Sequence, residues 1–171
     1  MKKFPSLLFI LLGALSACGF HLRGAGQYEL PSNLTHLHVM LENSQQENDP
    51  LLVAMKNALS TQAGVTLEDN SEVPRLILFG EKSDSQVLSV SSANKADEYL
   101  LKYEVSFRLA DKDGKALTDA QTVKLQRDHA FDRLNVLSTE REEQELRREM
   151  QRDAVQQILR RLARISFLEK R

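Results

Sequence analysis

Three groups of residues in this 171-residue chain have types and spacings that could do chemistry. Cys18 is the single thiol, set in Leu15-Ser16-Ala17-Cys18 behind an apolar run. With no second cysteine it has no internal disulfide partner, and its available chemistry is that of an exposed nucleophile or an acyl acceptor. Ser92 and Lys95, in Ser-Ala-Asn-Lys, have the S-x-x-K spacing of serine acyl-enzymes. That chemistry needs a helix turn beneath the pair and a K-T-G partner, whereas here the segment is a Ser-rich connection between strands. His36 and His38 fall on one face of a strand, but two ligands leave a metal site incomplete and no Cys or H-x-x-x-H completes it. Asp111-Lys112-Asp113-Gly114 lacks the further ligands and closing Glu of a calcium loop and reads as a turn. No G-x-S-x-G, H-E-x-x-H or phosphate-cradling glycine loop is present. The chain is read as a non-enzyme with no cofactor and no metal.

Cys18 is explained by what precedes it. Lys2 and Lys3 give a basic lead, and Leu7 to Leu15 form an apolar run shorter than the roughly 20 residues a bilayer-spanning helix needs. This is an export signal, residues 1–17. An ordinary signal-peptidase cut after Ala17 would put bulky Leu15 at the −3 position, where a small side chain is required. Leu-Ser-Ala-Cys instead resembles the lipobox of bacterial lipoproteins, in which the thiol is acylated and the Ala17–Cys18 bond is cut. The alternative is a cut after Ser16, with Ala14 and Ser16 as the small pair, leaving a free thiol. Three acyl chains of about fifteen methylenes, at ~0.8 kcal/mol per buried CH₂, contribute on the order of 35 kcal/mol, a permanent anchor. Gly19 at the second mature position, in place of the Asp tied to inner-membrane retention, points by the same resemblance to the outer membrane, periplasmic side.

The formal charge is −1, and removal of Lys2 and Lys3 leaves 21 basic against 24 acidic side chains, a net of −3. Such balance gives no global attraction to nucleic acid, and 6% aromatics without Trp offer little base stacking, so nucleic acid is excluded as a partner.

The elements that must position these residues follow from periodicity. Residues 18–33, with three glycines and a proline, read as a tether, and residues 34–171 as one globular domain. Leu37, Val39 and Leu41 alternate in a first strand. Asp49, Pro50 and Gly64 bracket a helix with Leu52, Met55 and Leu59 on one side. Residues 74–90 form a strand that opens apolar and continues polar. Tyr99, Leu101, Tyr103, Val105, Phe107 and Leu109 then alternate with polar residues, so that strand has one buried and one wet face. A partner strand returns through Leu117, Val123 and Leu125. The last helix begins at Thr139 and Glu142 in capping-box spacing and carries Leu146, Met150, Ala154, Ile158, Leu162 and Ile165 as one stripe. The arginines toward its end allow a membrane-surface helix, but the continuous stripe favours packing on the sheet. The expected fold is α/β (α+β): a two-layer sandwich of order β-α-β-β-β-α, with a mixed four-stranded sheet and two helices on one face.

Cys18-Gly-Phe-His-Leu-Arg-Gly24 directly behind a lipobox resembles the mature N-terminus of the LptE family of lipopolysaccharide-assembly lipoproteins. The Asn-Asp-Pro helix, the Glu98–Leu109 strand, Arg127 with Phe131 and Asp132, and Glu149, Met150, Ala154, Gln157 and Leu159 of the closing helix agree in order. The resemblance implies a non-catalytic lipoprotein, held to the outer membrane by its N-terminal acyl chains. Such a protein plugs the β-barrel LptD in a one-to-one complex, with its body on the periplasmic side or inside the barrel lumen, aids barrel assembly and binds lipopolysaccharide. The alternative is a pilot or scaffold lipoprotein of another outer-membrane barrel or secretion complex. Family members use a basic residue just before the long strand and another near the start of the last helix. Here Ser91 or Ser92 and Thr139 stand in those neighbourhoods, which leaves Lys95, Arg127 and Arg141 as the expected lipopolysaccharide contacts.

Overall fold

The alternation of apolar side chains from Leu101 to Leu109 produces the central strand of a sheet, with those five residues buried and their neighbours partly exposed. The computed structural model describes residues 28–42, 48–70, 72–90, 96–130 and 135–165, without the side chains of residues 90, 96 and 97. In chain order the elements are β1 (His36–Leu41), α1 (Pro50–Ala63), β2 (Thr66–Leu67), β3 (Arg75–Val90), β4 (Ala96–Ala110), β5 (Gln121–Ala130) and α2 (Val136–Ile165). A short 3₁₀ turn, Ser32–Leu34, precedes β1.

The sheet has five strands, not four, in the order β2-β1-β3-β4-β5. The added strand, β2, is two residues long and pairs parallel with β1 through His36↔Thr66 and Leu37↔Leu67. Two residues are too few to show alternation, so only pairing reveals it. β1 also runs parallel to β3, while β3–β4 and β4–β5 are antiparallel, which makes the sheet mixed as expected.

The ends of α1 are set by the residues anticipated for them. Asp49 Oδ1 accepts from the backbone N–H of Leu51 at 2.9 Å and of Leu52 at 3.3 Å, satisfying two orphan donors. Gly64, at φ +63°, closes the last turn with its N–H on Leu59 O. Leu51, Leu52, Met55, Ala58 and Leu59 meet Met150, Ala154, Val155, Ile158, Leu159 and Leu162 of α2 and the core-facing residues of β1, β3, β4 and β5 in one apolar cluster. Both helices therefore cover the same face.

Two local expectations are corrected. α2 starts at Val136 rather than at a Thr139–Glu142 capping box. Thr139 lies inside the first turns, buried, where its N–H and Oγ1 both donate to Asn135 O, at 3.0 and 3.2 Å. Leu117 lies ahead of β5, whose first residue is Gln121, and stays half-exposed with its N–H on Leu109 O.

Between Phe79↔Ser106 and Lys82↔Glu104, β3 advances three residues while β4 advances two. The extra residue is a β-bulge, with Gly80 at φ +64° supplying a left-handed backbone that other residues adopt at a cost. The bulge turns Glu81 to the helix side, where its Oε1 accepts from Tyr103 OH at 2.6 Å and from Gln151 Nε2 at 3.2 Å. Burial, and then the hydrogen bond to Glu81, push the Tyr103 phenol well above its ordinary value. No described helix is long and apolar enough to cross a membrane.

Candidate functional site

Cys18, Ala17, Ser92 and Lys95 lie outside the described residues, as do Phe131 and Asp132. Arg127 and Arg141 are described, and the structure separates them. Arg127 sits on β5 opposite Leu101 and reaches α2, where its Nη2 donates to Asp153 Oδ2 at 2.7 Å. Its Nη1 donates to Gln126 O at 3.1 Å, so the guanidinium joins sheet to helix. Arg141 lies near the start of α2, about 18 Å along the helix axis from Asp153 at 1.5 Å per residue. The two arginines do not form one pocket.

The charges around Arg141 distinguish it from its neighbours. Arg147 Nη2 pairs with Glu143 Oε1 at 2.7 Å and its Nη1 reaches Ser83 Oγ; Arg148 and Arg152 both pair with Glu145, at 3.1 and 2.8 Å. These pairs hold the Glu145 carboxyl below its usual range, Arg152 contributing most. Arg141 is exposed and has no carboxylate within ion-pair distance among the described residues. A free guanidinium is a forked donor suited to a phosphate or carboxylate.

The two strand histidines serve structure. His36 Nδ1 lies 2.5 Å from Glu68 Oε1, and His38 Nδ1 lies 2.8 Å from Glu68 O, so both stitch β1 to the segment after β2. The His36 contact, with a second from Asn70, lowers the Glu68 carboxyl. No group of three or more ligand-type side chains converges among the described residues. Asp111 Oδ1 accepts from the N–H of Asp113 at 3.0 Å and of Lys115 at 2.8 Å, which makes Asp111-Lys-Asp-Gly114 the turn expected of it.

Sequence reasoning missed the charged rows on the outer face of the sheet. Lys82, Glu104 and Lys124 lie in one cross-strand row, with Asp84, Lys102 and Gln126 in the next. Arg108 pairs with Glu42 at 3.1 Å and stacks over Phe79, 5.2 Å from the ring centroid. Alternation marked these side chains as outward-facing, but only register shows which stand together.

Comparison with known proteins agrees with this architecture. The model of the LptE family, described as "Lipopolysaccharide-assembly", matches residues 36–162, from the first residue of β1 into the last turns of α2. An uncharacterized lipoprotein B from Nitrosomonas europaea is 27% identical with a TM-score of 0.72, covering 86% of this chain and 92% of its own. The rare lipoprotein B from Shewanella oneidensis (24%, TM-score 0.68, 80% of this chain and 99% of its own) shares the fold. So does a minor lipoprotein from Acinetobacter baumannii (24%, TM-score 0.63, 76% and 91%). No curated protein matches at a significant level. With both helices and every strand represented in the matched span, the chain belongs to the LptE family of lipopolysaccharide-assembly proteins.

Proposed function

We propose that this protein is an outer-membrane lipoprotein, cut between Ala17 and Cys18 and acylated on Cys18. In this reading it occupies the lumen of the β-barrel LptD as a one-to-one partner and binds lipopolysaccharide on its way to the outer leaflet. It is not an enzyme; its work is binding and positioning. The observation that carries the reading is the family match from β1 into the last turns of α2. The polar outer sheet face supports it, since a barrel interior is lined with polar side chains. Lys95 and Arg141 are the proposed lipopolysaccharide contacts. Arg127 is proposed as a third, its pairing with Asp153 also holding β5 to α2.

The test is purification of the tagged chain from the envelope, with mass analysis of its N-terminus. An acylated Cys18 and a stoichiometric large barrel are expected. An unmodified thiol, or a partner of another kind, overturns the reading; the latter outcome would favour the pilot or scaffold alternative. Lys95→Ala with Arg141→Ala is expected to weaken binding of purified lipopolysaccharide, and unchanged affinity removes that assignment.

A further inference from the structure

Lys82 of β3, Lys102 of β4 and Lys124 of β5 share the outer face of the sheet around a cavity of about 350 Å³ that Asp84, Glu104 and Gln126 also line. Register sets their spacing. Lys82 and Lys124 each stand directly across from Glu104, and Lys102 is diagonal to both lysines. Diagonal neighbours are about 7–8 Å apart, and somewhat closer at Cβ, within reach of long side chains. Three ammoniums against two carboxylates leave the cavity net positive.

The pairing within it is incomplete. Lys124 Nζ contacts Glu104 Oε1, and this contact is the main cause holding the Glu104 carboxyl below its usual range. Lys102 Nζ donates to the neutral Gln86 Oε1 at 2.6 Å. Lys82 has no hydrogen bond or ion pair among the described residues. Neither Lys82 nor Lys102 has a carboxylate within ion-pair distance among the described residues, although Lys82 adds to the lowering of the Glu104 carboxyl, and as diagonal neighbours the two can be turned toward one anion.

The bulge bears on this placement. Were the pairing to run on regularly past Phe79↔Ser106, Glu81 would face outward across from Glu104, and Lys82 would point into the core. The positive-φ glycine thus exchanges a like-charge pair for a lysine on the rim.

We infer that the cavity bounded by Lys82, Lys102 and Lys124 is a binding site for a phosphate monoester or pyrophosphate group. It is distinct from the contacts proposed at Lys95 and Arg141. A phosphorylated glycolipid headgroup and a free phosphate present the same chemistry to it. The headgroup assignment rests on the lipopolysaccharide reading above, whereas the site itself does not.

Calorimetric titration of the full chain in nonionic detergent with inorganic pyrophosphate tests the site. Saturable binding is expected, weakened about tenfold in Lys82→Gln with Lys102→Gln. Glu104→Gln, which removes the carboxylate facing the ligand, is expected to tighten it. All three positions are exposed or half-exposed, so circular dichroism should show wild-type folding. Absence of saturable binding, or affinities indifferent to these substitutions, overturns the inference. Parallel titrations with lipopolysaccharide before and after enzymatic dephosphorylation separate the sources. Sensitivity of the phosphorylated form alone to the lysine substitutions identifies the headgroup; sensitivity confined to pyrophosphate identifies free phosphate and supports the site. Pyrophosphate binding by a chain that ignores lipopolysaccharide supports the site and refutes the functional reading.

Discussion

Arg127 and Arg141 carry the same guanidinium and differ only in their surroundings. Arg127 is partly covered and bonded to Asp153, so Arg127→Ala should lower stability by about 0.5 kcal/mol, discounted for the exposure of both partners, as read by urea denaturation. Arg141→Ala should leave the urea midpoint unchanged, because an exposed cation with no ion-pair partner among the described residues contributes little to folding. Tyr103 gives an alkaline signature. A phenol raised in the folded state favours folding below its ordinary value of 10.0, and that contribution is lost progressively above it. Tyr103→Phe should cost about 1 kcal/mol near neutrality through the lost hydrogen bond to Glu81 and should abolish this alkaline loss, measured as the melting temperature against pH. None of these partners is visible in the sequence. Asp153 lies 26 positions from Arg127, and Glu81 reaches Tyr103 only because a bulge reverses its face.

At the scale of elements, local chemistry set the ends of α1 and misled at the start of α2. Asp49→Ala should destabilise the protein by about 1 kcal/mol in thermal or urea unfolding, because two backbone donors lose their acceptor. The Ser/Thr-x-x-Glu spacing at Thr139 occurs inside α2, where the hydroxyl instead donates to Asn135 O just ahead of the first turn; the spacing does not by itself fix a start. In the interior of α2, Ile158→Ala should cost 2–5 kcal/mol, since a fully buried side chain leaves a cavity where sheet and helices meet. Gly80→Ala is the corresponding test of the bulge. Strain at φ +64° should cost roughly 1–2 kcal/mol, measured by thermal unfolding.

Across the whole molecule, the charged side chains are arranged as local pairs, some between elements and some along α2, rather than as one field. The Glu68, Glu104 and Glu145 carboxyls are lowered by His36, Lys124 and Arg152 respectively, so each favours folding above the ordinary value of 4.5 and loses that contribution as pH falls through its depressed value. A melting-temperature profile should accordingly fall on the acid side below about pH 4.5, and Glu68→Gln with Glu145→Gln should flatten it. The sequence by itself determined the two helices, the four longer strands, the buried faces of β1, β4 and both helices and the turn at Asp111, because periodicities of 3.6 and 2 and the capping and turn residues are local properties. It also determined the motif that led to Cys18. Tertiary structure alone decided that β2 exists, that β3 shifts register at Gly80, that Arg127 is bound while Arg141 meets no carboxylate among the described residues, and that three lysines from three strands share one cavity. Those facts depend on which strand lies beside which and in what register, a choice made by contacts between residues far apart in the chain.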